Sequence, residues 1–125
     1  MKSFYLTDAG RVRSHNEDSV TIVKNQTGEH LMMVADGMGG TNAGEVASAI
    51  AIETIQQKFS QEELNKFFIG KGSLPEKSFC EFLTNAVKAA DLNIINRSKT
   101  DSSTQGMGTT IVILWLIGEK AYVSW

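Results

Sequence analysis

The segment Asp36-Gly37-Met38-Gly39-Gly40 constrains the fold of this chain more than any other feature. It directly follows an apolar run, His30 to Ala35, which predicts a β-strand, and it precedes an alanine-rich helical pattern. Its three glycines predict a tight, irregular loop, because glycine adopts backbone conformations that other residues avoid. The chain must therefore pass sharply from a strand into a helix, with one carboxylate at the junction.

A second strand is expected to pair with this one. Ser19 to Lys24 has the alternation of a strand, and Asn25 to Glu29, which contains Gly28, predicts the turn of a β-hairpin. A further short strand is predicted at Phe4 to Thr7, followed by a loop from Asp8 to Asn16.

Three helices are predicted after the glycine segment. Asn42 and Glu45 have the spacing of a capping box at the start of the first helix. Ser60 and Glu63 suggest the cap of a short second helix that stops near Gly70. The inward face of the first helix is predicted to hold Ala43, Ala47, Ala51, Ile55 and Phe59. The third helix opens near Pro75, and its inward face is predicted to hold Phe79, Phe82, Ala86, Ala90 and Ile94.

The C-terminal quarter predicts a loop and two strands. Arg97 to Gly106 is polar and should be an exposed loop. Thr109 to Ile117 is almost uninterrupted in apolarity and rich in β-branched residues, which predicts a strand buried on both faces. Gly118-Glu119 predicts a hairpin turn into a return strand, Ala121 to Trp125.

Composition excludes several classes of function. The 125 residues, 42% of them apolar, suit one globular domain. Twelve basic and fourteen acidic residues give a net charge of −2 without a basic stripe, which argues against nucleic-acid binding and a polybasic membrane patch. The longest apolar run, Ile111 to Ile117, is far shorter than the roughly 20 residues that span a bilayer. We therefore expect a cytoplasmic protein, in which the single cysteine, Cys80, is a packing residue.

Acidic residues from two separate stretches are predicted to converge. Glu17 and Asp18 begin the first strand of the hairpin, and Asp36 ends the second, so antiparallel pairing brings them to one end of the sheet. Like charges at close range repel and raise one another's pKa, and a divalent cation relieves that repulsion. Mg²⁺ and Mn²⁺ prefer oxygen ligands, which the Asp36 carboxylate and the Gly37 carbonyl could supply. The alternative is a plain turn in which Asp36 bonds the backbone while Glu17 and Asp18 are solvated.

Arg13 lies in the loop above the same end of the hairpin, four residues before Glu17. A lone loop arginine usually faces solvent. Beside a divalent metal site, however, its guanidinium suits phosphate, because its paired donors match the geometry of phosphate oxygens.

Three ordered motifs carry a resemblance to a known family. The segments Thr7 to Asp18, Asp36 to Gly40 and Gly106 to Thr110 resemble the N-terminal motifs of the metal-dependent, type 2C protein phosphatases. The glycine segment with methionine at position 38 is similar to that of the bacterial branch of the family. Members of that branch often oppose a serine/threonine kinase.

The resemblance implies an α+β fold, an αββα sandwich of two antiparallel sheets flanked by helices. It also implies hydrolysis of phosphoserine and phosphothreonine in proteins by a water activated between two Mn²⁺ or Mg²⁺ ions. In that role Asp36 bridges the metals, Gly37 offers its carbonyl, and Glu17 binds a metal directly or through water. Asp18 orients water, Arg13 holds the substrate phosphate, and the third motif is a structural strand entry without a ligand.

The resemblance leaves the general acid open. Some relatives carry a histidine at the position of Met38, where it can protonate the leaving group, and Met38 cannot do so. Water at the metals and His15 are the two candidates, and His15 also fits a core or surface role.

The length sets the remaining alternatives. Family domains are about twice as long, so residues 1–125 are expected to be the N-terminal part of one domain, without a Gly-Asp-Ser-Arg-like segment and two later metal-binding aspartates. Asp91 and Asp101 are poor substitutes for these. The chain is thus either a segment of an active phosphatase, inactive alone, or a non-catalytic remnant or binding module. A nucleotide-binding domain built on Gly37 to Gly40 is a weaker third idea, because the segment lacks a following Lys-Ser/Thr.

Overall fold

The structure is a computed structural model that describes residues 2–11, 16–24, 30–40, 42–70 and 72–125. The strands are β1 (Asp18–Lys24), β2 (His30–Met38), β3 (Gly108–Thr109), β4 (Val112–Ile117) and β5 (Lys120–Ser124). The helices are α1 (Ala43–Lys58), α2 (Gln61–Phe68) and α3 (Glu76–Thr100), followed by a 3₁₀ turn, Ser102–Thr104.

All strand pairs in the sheet are antiparallel. The order is β1-β2-β4-β5, and the short β3 pairs separately with the end of β2. The hairpins β1–β2 and β4–β5 are therefore confirmed, although the predicted turn at residues 25–29 lies outside the described part of the chain.

Helices α1 and α3 cover one face of the sheet. The predicted inward row of α1 is buried along its whole length, from Ala43 to Phe59. On β2 the alternate residues Leu31, Met33 and Ala35 are buried against it, as expected for a strand with one covered face. The alanines of α1 allow the helix to lie close to the sheet, and the core forms between them.

Aromatic side chains fill the end of the core between the helices and the strands β4 and β5. Trp115 lies edge-on to Phe59, with ring centroids 4.8 Å apart, and Phe59 is edge-on to Phe82 at 5.0 Å. Phe79 stacks on Tyr122 at 4.8 Å. These geometries add to the burial energy, because the edge of one ring is attracted to the face of another.

The predicted strand at Phe4 to Thr7 and the predicted side-chain cap at Asn42 are both wrong. Phe4 to Thr7 forms no strand; it pairs with none of the described strands, and Phe4 is 93% exposed. Asn42 does not cap α1 through its side chain, because its φ of 67° is left-handed rather than the extended conformation of a side-chain cap. By contrast, Ser60 accepts the Glu63 N–H at 3.3 Å and caps α2 as predicted.

The strand that ends in the glycine segment is longer than predicted. β2 includes Asp36, which pairs with Asp18 of β1, and it continues through Gly37 and Met38, because β3 supplies a pairing partner from a distant part of the sequence. The turn itself is confined to Gly39 and Gly40, whose φ values of 142° and 61° favour glycine.

Later boundaries also differ. Helix α3 runs on to Thr100, so the predicted loop at Arg97 to Gly106 is wrong in its first four residues, and a 3₁₀ turn follows. The predicted strand Thr109 to Ile117 is divided between β3 and β4. It is buried on one face only, since Val112 on the other face is half exposed. Cys80 is exposed, not a packing residue.

The fold class is α+β, with an antiparallel sheet under a helical layer. The described residues make these two layers of the expected αββα sandwich, and the second face of the sheet is open at Val34, Val112 and Val123. In the described part of the chain, no helix is both long and apolar enough to cross a membrane.

The aromatic cluster makes a stability prediction. Trp115→Ala should lower the free energy of unfolding by about 3–5 kcal/mol, because Trp115 is only 1% exposed and its loss leaves a cavity. Urea unfolding measures the change. Leu92→Ala, on the exposed side of α3, is the control and should cost less than about 1 kcal/mol. Equal losses in the two variants would contradict this description of the core.

Candidate active site

The acidic residues meet at one end of the β1–β2 hairpin. Asp18 lies directly opposite Asp36 in the strand register. One step further, the Gly37 N–H donates to the Glu17 carbonyl oxygen at 3.2 Å. Backbone pairing thus brings Glu17, Asp18 and Asp36 together, as antiparallel geometry predicted.

These side chains leave the strand end in two directions. Asp18 and Asp36 are exposed and are cross-strand neighbours on the face of the sheet opposite the helices. Glu17, one residue earlier, is directed to the helical side. A Cβ atom added to Gly44 in the first turn of α1 would lie 2.9 Å from the Glu17 carboxyl carbon. The acids therefore flank the strand end from both sides.

Gly37 and Gly44 bring the strand and the helix into close contact. A Cβ on Gly37 would lie 1.9 Å from the Gly44 carbonyl oxygen, and a Cβ on Gly44 would lie 2.8 Å from the Gly37 carbonyl carbon. Neither position has room for a side chain. Gly37 therefore serves close packing rather than a sharp turn, and Gly44, for which no role was predicted, is its packing partner.

The third motif fixes the backbone of Asp36. β3 pairs Thr109 with Gly37 and Gly108 with Met38. Just beyond it, the Thr110 N–H donates to the Asp36 carbonyl oxygen at 2.9 Å, and the Asp36 N–H donates to Thr110 Oγ1 at 3.2 Å. The motif is a strand entry, as expected, and its hydrogen bonds fix the backbone of Asp36.

Other polar residues near or proposed for the site have defined positions. The Asn16 side chain accepts the Asp18 N–H at 3.0 Å and donates to Thr7 Oγ1 at 2.7 Å, which ties the N-terminal segment to β1.

Asp101 accepts hydrogen bonds from the Ser103 hydroxyl at 2.6 Å and the Ser103 N–H at 3.0 Å. These bonds, with Arg97 nearby, hold the pKa of Asp101 below its ordinary value. Asp101 therefore caps the 3₁₀ turn, and its carboxylate is engaged in local hydrogen bonds.

The donor set at the strand end is made of oxygens. Carboxylates and a backbone carbonyl fit Mg²⁺ or Mn²⁺ in kind. Their number is small: among the described residues, no three acidic, histidine or cysteine side chains cluster closely enough to hold a metal ion. Arg13 and His15 lie outside the described residues.

A family model named protein phosphatase 2C matches residues 8–125. The chain belongs to this family.

Individual relatives agree with that membership. The serine/threonine phosphatase Stp of Listeria monocytogenes is 30% identical over 112 residues, which are 90% of this chain and 41% of Stp. The crystal structure of Stp1 from Staphylococcus aureus superposes with a TM-score of 0.76 at 29% identity, covering 94% of this chain and 43% of Stp1.

A third relative was solved with metal. The catalytic domain of the serine/threonine protein phosphatase PstP, in complex with two manganese ions, matches with a TM-score of 0.65 at 30% identity. The match covers 93% of this chain and 43% of that domain structure. The type 2C chain described here thus spans less than half the length of each of these relatives.

The glycine contact makes a prediction. Gly44→Ala should lower the free energy of unfolding by about 1–3 kcal/mol, because the new Cβ must push β2 and Glu17 away from α1. Chemical denaturation measures the loss. Gly72→Ala is the matched control, since a Cβ there meets nothing within 4 Å, and it should change stability by less than about 0.5 kcal/mol. If Gly44→Ala behaved like Gly72→Ala, the close approach would be refuted.

Proposed function

We propose that the full-length protein hydrolyses phosphoserine and phosphothreonine in proteins with the help of two Mn²⁺ or Mg²⁺ ions. One observation carries the proposal: backbone pairing unites Glu17, Asp18 and Asp36 at the strand end where the type 2C motifs fall. The manganese-bound PstP structure supports the choice of metal.

The proposed metal ligands are the Asp36 carboxylate, the Gly37 carbonyl and Glu17. When bound, two such ions supply Lewis acidity for water activation and neutralise charge on the phosphoryl group. Asp36 lies on the open face of the sheet and Glu17 on the helical side, so these two residues would hold the ions from opposite sides of the strand end. Thr110 fixes the backbone of Asp36 through hydrogen bonds to its N–H and its carbonyl oxygen, so the fold sets the strand position from which the carboxylate projects.

The other residues at the strand end have supporting roles in this proposal. Asp18, which lies opposite Asp36, would accept a hydrogen bond from water and so orient it for attack. Arg13 holds the substrate phosphate, because its fork of donors matches two phosphate oxygens. The general acid is either a water at the site or His15, since Met38 carries no transferable proton.

This chain supplies only part of the proposed site. Mg²⁺ and Mn²⁺ favour six oxygen ligands, and Glu17, Gly37 and Asp36 provide too few. We therefore assign residues 1–125 to the N-terminal part of a single phosphatase domain, whose remaining ligands lie outside this chain. The chain alone should be inactive. The partners of the full-length protein would be phosphorylated proteins and an opposing serine/threonine kinase.

A non-catalytic module of the same fold is the second candidate. The observation that favours it is the lack, among the described residues, of three clustered metal-binding side chains. The activity measurements below separate the two functions, because a binding module would leave phosphoesters intact.

The carboxylate of Asp36 makes a prediction about activity. In the full-length protein, Asp36→Asn should lower Mn²⁺-dependent hydrolysis of an aryl phosphate by at least about 100-fold. The reason is that mutating even the residues that support metal ligands typically lowers metal affinity or activity about 10–100-fold. Steady-state kinetics over a Mn²⁺ titration measures the effect. Asp91→Asn, exposed on α3, is the control and should retain wild-type activity. Activity in Asp36→Asn equal to that of the control would disprove the proposed role.

The proposed contact between Arg13 and the substrate phosphate makes a prediction about KM. Arg13→Ala should raise KM about tenfold or more while lowering kcat less, because a hydrogen bond to a charged group contributes about 1.5–3 kcal/mol. Arg11→Ala, an exposed arginine two residues earlier, serves as the control and should leave both constants near the wild type. An unchanged KM in Arg13→Ala argues against phosphate binding.

A further inference from the structure

Ser48 is a buried hydroxyl on α1 whose hydrogen bonds lead to the acidic strand end. Its side chain is fully buried, at 0% exposure, and its Oγ donates to the Glu17 carbonyl oxygen at 2.7 Å. The same carbonyl accepts the Gly37 N–H at 3.2 Å. The backbone of Glu17 is thus held by two donors, one from the helix and one from the neighbouring strand.

The other contacts of Ser48 show which way its proton is used. Ser48 Oγ lies 2.9 Å from Ser19 Oγ and 3.2 Å from the Glu45 carbonyl oxygen. A hydroxyl has one proton, and the shortest contact to an obligate acceptor is with Glu17. The Ser19 hydroxyl can then donate to Ser48. One buried atom therefore holds β1 at residues 17 and 19, on both sides of Asp18.

Ser48 and Gly44 act on Glu17 from the same helix face. They are four residues apart, so they lie one above the other on α1. Ser48 holds the Glu17 backbone, while the absent side chain of Gly44 leaves the space that the Glu17 carboxyl group occupies. Removing the Ser48 hydroxyl takes away the hydrogen bond from α1 to the Glu17 carbonyl and should let the start of β1 shift relative to the helix.

We propose that Ser48 is a positioning residue that holds Glu17 in the orientation needed to bind metal. The inference rests on the function proposed above, because it assigns Glu17 to the metal site. It adds a residue that touches neither metal nor substrate and that acts through the backbone of a ligand. Residues of this kind typically change metal affinity about 10–100-fold when they are removed.

Thr54 offers a matched control on the same helix. It is buried, and its hydroxyl accepts a hydrogen bond from Asn93 Nδ2 at 3.0 Å, which links α1 to α3. Like Ser48→Ala, Thr54→Val removes a buried hydroxyl from α1 and breaks a hydrogen bond to another element. The difference is that the Thr54 contact does not lead to the acidic strand end.

The experiment measures Mn²⁺ affinity in the full-length protein without substrate, by titration calorimetry, with unfolding in urea measured in parallel. Ser48→Ala should raise the Kd for Mn²⁺ by about tenfold or more. Thr54→Val should leave that Kd within about twofold even if it lowers stability as much, because it removes no contact to a ligand. Equal Mn²⁺ affinity in Ser48→Ala and the wild type would overturn the inference.

A double-mutant cycle tests whether the effect passes through Glu17. In a Glu17→Gln background, Ser48→Ala should cause little further loss of Mn²⁺ affinity, since the group that it positions is already impaired. The same fold-loss in both backgrounds would overturn the inference. If Ser48→Ala does not fold, Ser19→Ala replaces it: it removes the donor to Ser48 and should weaken Mn²⁺ binding, and unchanged affinity there counts against the inference.

The same titrations separate this inference from the proposed function. If the wild type binds no Mn²⁺, or if Asp36→Asn binds it as tightly as the wild type does, the proposed function fails and the role of Ser48 fails with it. If Asp36→Asn loses affinity while Ser48→Ala does not, the proposed function stands and the inference about Ser48 alone is wrong.

Discussion

The close contact between the end of β2 and the first turn of α1 is the constraint on which the rest of this structure depends. Gly37 and Gly44 approach so closely that a side chain on either would overlap the backbone of the other. This contact fixes where α1 begins relative to the sheet. As a result Ser48, one turn later, meets the Glu17 carbonyl, and the row from Ala47 to Phe59 falls on the buried face. Packing and site geometry therefore share one origin.

Local sequence patterns were sufficient for most elements, and distant contacts decided the exceptions. The strand at Ser19 to Lys24, the Ser60 cap and the alanine row of α1 all involve residues close together in sequence, and the structure has all three. The extension of β2 through Met38 depends on β3, about 70 residues later, which no local pattern reveals. The segment Phe4 to Thr7 illustrates the converse. It has strand propensity, but propensity alone cannot hold a strand that lacks a partner.

The candidate site also contains residues that local sequence predicts and residues that depend on distant contacts. The meeting of Glu17, Asp18 and Asp36 followed from the geometry of an antiparallel hairpin, which needs only the two strands and their direction. The residues that support these acids were missed, because their roles depend on contacts between a helix and the sheet. A signal did exist for two of them: Gly44 and Ser48 extend the four-residue spacing of small residues beside Ala43 and Ala47. A small residue on a packed helix face indicates a close neighbour, but a local pattern does not identify the residue that packs against it.

The two directions of the acidic side chains bear on where an αββα sandwich would hold its metals. Val34, half exposed on the uncovered face of the sheet, lies two residues before Asp36 on the same side of β2. A second sheet packed on that face would cover Val34 and Val112 and would leave Asp36 at the rim of the gap between the sheets. Glu17 reaches the same rim from the helical side. The metals would then sit at the edge where both sheets and α1 meet. For the function proposed above, such an edge would let ligands from a second sheet complete the coordination while leaving access for water and the substrate.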